Sequence, residues 1–356
     1  MSGIETLETA DLASLASFDA VIDVRSPAEF AEDHAPGAIN LPVLSNAERA
    51  EVGTIYVQQS RFLARKVGAA YIARNVADHL QTALVEQPGS FRPLIYCWRG
   101  GQRSYAMATI LAQVGWRTTV LAGGYKTWRR HVSARLYDEP LPFRLVLLDG
   151  YTGSGKTEVL QRLADRGQQI IDLEGLAAHR GSLFGALTGQ PQPGQKLFES
   201  QLLVALEALD PARPVIVEAE SSKIGERMTP PAVWQAMTAA PRLELTASPQ
   251  ARAGYLVRAY GDIVRDRAAL DEALRRLPTW PGRKRLEAWS QLADAGDFEA
   301  LALDLMALHY DPAYRRSSGR DARPSLGAVD LGGLQPADLD AAADEIARRV
   351  EALSSA

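Results

Sequence analysis

Cysteine is almost missing from this chain: Cys97 is the single example in 356 residues. That rules out an intrachain disulfide framework and any zinc site built from several thiolates. An unpaired thiol also suits an oxidising compartment poorly, so a cytoplasmic protein is expected. Histidine is scarce too, at five, and no two are spaced as a metal-ligand pair. No resident metal and no tightly bound cofactor is therefore expected. Long apolar runs are absent: nothing approaches the ~18–20 uncharged residues that span a bilayer. The first residues, Met1 to Glu5, lack the basic and apolar regions of a signal peptide. There is no strong charge of either sign, since the net charge is −4. A local basic surface remains compatible with that sum, because steering depends on how charge is distributed.

What is present is ordinary in bulk and specific in detail. Hydrophobic content of 46% with 23% charged residues is typical of a globular protein. The length exceeds one typical domain, so two or three are expected. Short apolar strands are expected at residues 20–24, 93–96 and 118–121, with a helix over 104–114. Ser26-Pro27-Ala28-Glu29-Phe30 has the pattern of a capped helix start. Strands alternating with helices argue for a parallel α/β sheet. Pro140-Leu-Pro142 marks a boundary, and a second α/β unit follows, with strands at 143–148, 170–173, 215–217 and 242–246. A helix is expected near 197–209. From about Pro249 the pattern turns helical and arginine-rich, ending in an amphipathic helix behind a Gly-containing linker. The domains read from this are 1–137, 143–248 and 249–356.

Cys97 directly follows the strand Pro93–Tyr96 and opens the run Cys97-Trp98-Arg99-Gly100-Gly101-Gln102-Arg103-Ser104. Ligand sites in parallel sheets lie at the carboxyl ends of strands. A thiolate at the head of a tight turn before a helix receives several backbone N–H groups and the positive end of the helix. Arg99 and Arg103 add full charges. Such surroundings lower a cysteine pKa from ~8.5 to roughly 3.5–7.5. The same donors, with Gly100, Gly101, Gln102 and Ser104, would hold a bound oxyanion.

With Asp23-Val-Arg25-Ser-Pro27-Ala-Glu29-Phe30, His34-Ala-Pro36-Gly37-Ala38-Ile39-Asn40 and Leu121-Ala-Gly123-Gly124-Tyr125-Lys126-Thr127-Trp128, this loop resembles the rhodanese-like family over most of residues 1–137. Five residues separate Cys97 from Arg103, one more than is usual in simple sulfurtransferases of that family. The longer loop is similar to that of rhodanese-related phosphatases. It implies an anion larger than a plain persulfide, a phosphate or a selenium-containing group.

The stretch Gly150-Tyr-Thr152-Gly153-Ser154-Gly155-Lys156-Thr157 satisfies the phosphate-loop pattern in full. Backbone N–H groups wrap phosphates, Lys156 neutralises them, and the Thr157 hydroxyl reaches a magnesium ion where one is used. It follows an apolar strand and opens a helix, as the mechanism requires. No guanine-reading motif and no transporter-ATPase signature accompanies it. Glu218 and Glu220 stand at the end of a neighbouring strand, where they can hold magnesium through water, act as a base, or lie on the surface. His179-Arg180-Gly181-Ser182-Leu183-Phe184-Gly185 reads either as a substrate-binding loop, through His179, Arg180 and Ser182, or as a plain turn.

Residues 252–285 hold nine cations against four acids. Arg252, Arg258, Arg275, Arg276, Arg283, Lys284 and Arg285 are the candidates for RNA contact. Tyr255, Tyr260, Trp280 and Trp289 lie among or beside them. Cations track phosphates and aromatics stack on bases in RNA-binding surfaces. His309-Tyr310-Asp311-Pro312-Ala-Tyr314-Arg315-Arg316 forms a further aromatic–basic segment.

Taken together, the cysteine loop, the phosphate loop, Asp172-Leu-Glu-Gly175, Glu218-Ala-Glu-Ser221 and His309–Tyr314 resemble the tRNA 2-selenouridine synthase family. The resemblance implies a rhodanese-like parallel-sheet domain joined to a P-loop NTPase-like α/β domain with a helical, arginine-rich C-terminal region. It implies a tRNA substrate with 2-thiouridine at the wobble position, and selenophosphate and geranyl diphosphate as co-substrates. Cys97, Arg103 and Lys156 would be catalytic. Whether Cys97 carries selenium covalently stays open. A rhodanese-type sulfurtransferase or phosphatase fused to an ATP-dependent small-molecule kinase is the alternative reading of the same motifs, and a regulatory oxyanion-sensing module is another.

Overall fold

The computed structural model describes residues 3–182, 184–187, 189–277, 282–318 and 322–354. They form two compact units, one of residues 1–139 with 194–207, the other of residues 140–193 with 208–356.

The first unit is built on a parallel sheet of β1 (Glu5–Leu7), β2 (Ala20–Asp23), β3 (Ala38–Asn40), β4 (Pro93–Tyr96) and β5 (Thr119–Leu121), in the order β1-β5-β4-β2-β3. The central β4 is buried at all four positions, which is why it reads as an unbroken apolar run. Ile22, Val24, Ile95, Met107, Leu111 and Val120 form the core on one face. The helix Gln102–Val114 begins just after Gly101, so the cysteine loop is the turn between a buried strand and that helix.

The second unit carries β6 (Leu145–Gly150), β7 (Gln169–Ile171), β8 (Val215–Glu218), the small hairpin β9 (Lys223–Ile224) and β10 (Arg227–Met228), then β11 (Arg242–Thr246) and β12 (Ser325–Asp330). Its five-stranded sheet runs β12-β11-β6-β8-β7, with every pairing parallel. The strand that feeds the phosphate loop is thus central. Helices Lys156–Asp165 and Pro336–Ser354 pack together over this sheet, through Val159, Leu160 and Leu163 on one and Leu339, Ala343, Ile346 and Val350 on the other. A separate helical core gathers Leu270, Leu274, Trp289, Leu301 and Leu305.

All seven expected strands are present, with ends shifted by no more than two residues. β1, β3, β12 and the hairpin strands β9 and β10 were not among them. β1 and β12 are edge strands whose side chains stay largely exposed, so neither carries an apolar alternation. The helix expected near 197–209 is Gln195–Glu207, and it packs on the first unit although the chain around it belongs to the second. Trp128 Nε1 donates to Ser200 Oγ at 3.0 Å, and Arg129 and the Tyr137 hydroxyl both donate to the buried Glu199.

Candidate active site

Cys97 lies at the carboxyl end of β4 with only 4% of its surface exposed. Its sulfur accepts from the Gly101 N–H at 3.2 Å and from the Ser104 hydroxyl at 3.4 Å. Burial pushes the thiol pKa up. The Ser104 hydroxyl and the backbone N–H groups of Gly101, Arg99 and Ser104 pull it down further, and the net shift is downward. The loop is locked from behind by the glycine pair that follows β5. Gly124 has φ +58°, and a Cβ there would stand 2.2 Å from the Cys97 carbonyl oxygen, so no other residue fits. Tyr125 N–H donates to that same carbonyl at 2.8 Å.

Arg103 does not point its charge at the sulfur, as its spacing suggests. It makes a two-pronged pair with Glu29, at 2.7 and 3.2 Å. Burial raises the Glu29 pKa, but the Arg103 hydrogen bonds and charge outweigh it and hold the carboxyl at about 2. The thiolate is therefore stabilised by N–H and hydroxyl dipoles. Alkylation of this lone cysteine by iodoacetamide should show a pH midpoint below the ~8.5 of a free thiol, because only the thiolate reacts. Ser104→Ala should move that midpoint upward. A midpoint that ignores the substitution would remove Ser104 from the cage.

In the second unit, Gly150 to Thr157 wraps from β6 into the helix Lys156–Asp165. Lys156 Nζ donates to the Gly150 carbonyl at 3.2 Å. Glu218, at the end of the adjacent β8, is buried at 1% exposure, and neither of its carboxylate oxygens has a hydrogen-bond partner among the described residues. Glu220 and Glu174 complete a trio whose carboxylate oxygens lie within 4.8 Å of one another. Thr157 Oγ1 donates to Glu174 at 3.0 Å. Burial first, then mutual repulsion, raises the pKa of Glu174 and Glu218, and burial raises that of Glu220, while Lys156 opposes the shift in all three. Three crowded carboxylates facing a hydroxyl and one ammonium form an oxygen-rich set that fits a hard divalent cation. The sequence singles out Glu218 and Glu220 for a role, whereas Glu174 stands only inside the segment Asp172-Leu-Glu-Gly175, with no role assigned. The usable signal was its place just past the end of β7, on the same sheet edge.

The loop from His179 to Ser182 backs onto this trio. Gly181 has φ +64°, and a Cβ on it would meet Glu174 at 2.5 Å and Glu220 at 2.6 Å. Arg180 pairs with Asp262 at 3.1 Å and lies over the Tyr260 ring. Ser182 Oγ shares a hydrogen bond with the Tyr260 hydroxyl at 2.9 Å. Leu183 of the same motif lies outside the described residues. Ser182 and Thr152 of the phosphate loop together form part of the wall of a narrow pocket that is otherwise apolar, with Leu256, Leu270, Phe298 and Leu305 among its lining.

These features coincide with what the chain is similar to. A family model for the rhodanese-like domain matches residues 8–131, and one for the tRNA 2-selenouridine synthase AAA domain matches residues 143–276. A tRNA 2-selenouridine synthase of Shewanella loihica is 32% identical over 342 residues, covering 86% of this chain and 89% of that protein. The chain belongs to the tRNA 2-selenouridine synthase family. Synthases of Nitrosomonas europaea and Shewanella denitrificans are each 38% identical, over 59% and 61% of this chain. Those two matches span 55% and 59% of the relatives' own lengths.

Within this member of the synthase family the C-terminal arginines divide into several kinds. Arg252, expected on an RNA-facing surface, is instead 3% exposed. Its guanidinium pairs with Asp311 at 2.6 Å and donates to the Thr152 carbonyl at 3.0 Å, bracing the phosphate loop. Tyr314 donates to Asp149 at 3.2 Å and its ring lies against that of Tyr151. The His309–Tyr314 segment thus supports the loop through Asp311 and Tyr314. Asp311→Asn, which keeps the shape and removes the charge, should cost about 1.5–3 kcal/mol. Urea unfolding would measure it, and an unchanged midpoint would contradict the bracing role.

Tyr255 and Trp289 are core residues at 8% and 1% exposure, and Trp280 lies outside the described residues. Arg258 donates to the Leu334 carbonyl. Arg276, Arg283 and Arg285 are ion-paired with Glu272, Glu287 and Asp304. Arg275 and Lys284 are exposed. No helix among the described residues is long and apolar enough to cross a membrane.

Proposed function

We propose that the chain replaces the 2-sulfur of a wobble 2-thiouridine in tRNA with selenium, taking selenium from selenophosphate and using geranyl diphosphate to activate the sulfur. The observation that carries this reading is the apolar pocket whose wall includes Thr152 of the phosphate loop. A nucleotide base would need convergent donors and acceptors, whereas this lining is hydrocarbon apart from a few hydroxyls. A ligand with a diphosphate head and a hydrocarbon tail satisfies both halves at once. This favours a prenyl donor over ATP.

In the first step the thiouridine sulfur attacks C1 of the geranyl group. The S–C bond forms as the C–O bond to diphosphate breaks, and the N3 proton is lost to solvent. Charge grows on the departing diphosphate, where Lys156 and the N–H groups of residues 153–157 stabilise it. Thr157, Glu174, Glu218 and Glu220 would hold a divalent cation, which supplies further positive charge beside the phosphate oxygens. In the second step the selenium of selenophosphate attacks C2, and the geranyl thiolate leaves and is protonated. Water then cleaves the P–Se bond, releasing phosphate. A bare thiocarbonyl sulfur leaves poorly, which is why alkylation comes first. The N–H cage at Cys97, with Arg99, binds the selenophosphate oxyanion.

Mass spectrometry of nucleosides from thiolated tRNA tests the scheme. Geranyl diphosphate alone should yield S-geranyl-2-thiouridine, and both donors together 2-selenouridine. Unaltered nucleosides under both conditions would sink the proposal.

A further inference from the structure

The first unit contains a groove that starts at the cysteine cage and extends well beyond the residues assigned a role above. It runs between the helices Asn46–Gln58 and Arg61–Gln81 on one side and Gln102–Val114 on the other, and Cys97 is part of its lining. Arg49, Arg65, Arg99 and Arg103 line it, and no carboxylate does. Glu29 balances Arg103 and, at 3.8 Å, Arg49. Arg65 and Arg99 have no carboxylate within 4.0 Å among the described residues and stand exposed. Arg99 also lines a second depression, together with Lys126, Arg129 and Arg130 and again with no carboxylate. The two depressions therefore share a cationic wall at the cysteine loop.

A single oxyanion would be served by the N–H cage alone. Two adjoining basic depressions call for a chain of phosphates. Tyr56 and Tyr105 line the first groove and are 47% and 41% exposed, and the Arg61 guanidinium lies over the Tyr56 ring at 5.5 Å, a cation beside an aromatic face. Exposed cations spaced along a groove, with aromatic faces between them, suit single-stranded nucleic acid: the cations follow the backbone and the rings stack on bases. On the C-terminal helices Arg267, Arg276, Arg283 and Arg285 are each paired with a carboxylate, as Arg103 and Arg129 are here, so the cations that count for the track are Arg65, Arg99 and Lys126.

We propose that this groove, continued past Arg99 to Lys126 and Arg130, is a track for single-stranded RNA that delivers an unstacked nucleobase to Cys97. The inference rests on the tRNA reading above and adds the place of contact. The test uses the full chain and a fluorescently labelled RNA stem-loop, with fluorescence anisotropy read between 50 and 200 mM salt. Tyr56→Ala should weaken binding about ten-fold through lost stacking. Arg65→Ala and Lys126→Ala should each lower the slope of log affinity against log salt by about 0.7, the value for one phosphate contact on a single strand. Arg283→Ala, on the C-terminal helices, should bind like the unaltered protein, and thermal melting of every variant checks that it is folded.

If the unaltered protein binds the stem-loop and all three groove variants bind equally well, the groove is not the track while the tRNA reading survives. Failure of the unaltered protein to bind RNA at any of these salts would overturn both. Displacement of the stem-loop by polyglutamate but not by polyuridylate would show that the groove takes an acidic protein instead, and would also refute the proposal.

Discussion

Cys97→Ala should leave tRNA carrying S-geranyl-2-thiouridine as the accumulating product, with selenium incorporation lost altogether. The sulfur receives hydrogen bonds from Gly101 and Ser104 in a cage made by the turn after β4. The residues of that cage belong to the first unit, whereas the proposed scheme gives alkylation to the phosphate loop of the second. Alanine fits the same backbone, because the constraints on the turn come from Gly100 and Gly124 rather than from the thiol. Folding should therefore be unaffected and the loss should be chemical. The measurement is nucleoside mass spectrometry after incubation with both donors. Residual 2-selenouridine at the unaltered rate would show that the thiol is a bystander.

Lys156→Ala should do the reverse. The ammonium opposes the upward pKa shifts of the three crowded carboxylates Glu174, Glu218 and Glu220. Removing it takes away the charge that offsets the trio and, in the proposed scheme, the departing diphosphate. Loss of a single preorganised stabilising donor typically costs about 10²–10³-fold in rate, and a charged one should fall at the upper end. The geranylated nucleoside should then form that much more slowly. Synthetic tRNA already bearing the S-geranyl group should still accept selenium. If both variants stalled at the same step, the assignment of one reaction to each cage would fail.

Much of this was readable before the fold was known, for a physical reason. Lys156, Thr157 and the cysteine loop work through covalent spacing, where a strand must end and a helix must begin within a few residues. Their chemistry is local, so the sequence displays it. Glu174 contributes to the same site from another strand end, and only the sheet order β6-β8-β7 brings it there. Arg252 was misread because an arginine in a basic run looks the same whether it faces solvent or a buried Asp311. The apolar pocket was invisible for a similar reason. Leu256, Phe298 and Leu305 are ordinary helical core residues in sequence, and a pocket among them is a property of two helices, Pro249–Ala259 and Phe298–Leu305, together. β12 escaped because an edge strand needs pairing with β11 more than it needs a pattern.

The helix Gln195–Glu207 has a consequence for how the protein is born. A ribosome releases the whole of the first sheet well before it reaches residue 195, yet Trp128 and Arg129 find Ser200 and Glu199 only after that helix has been translated. The N-terminal unit cannot reach its final form as an early, self-sufficient product of synthesis. It must wait with an open flank while the phosphate loop and its first strands emerge, so a nascent chain halted before residue 207 would present that flank to chaperones.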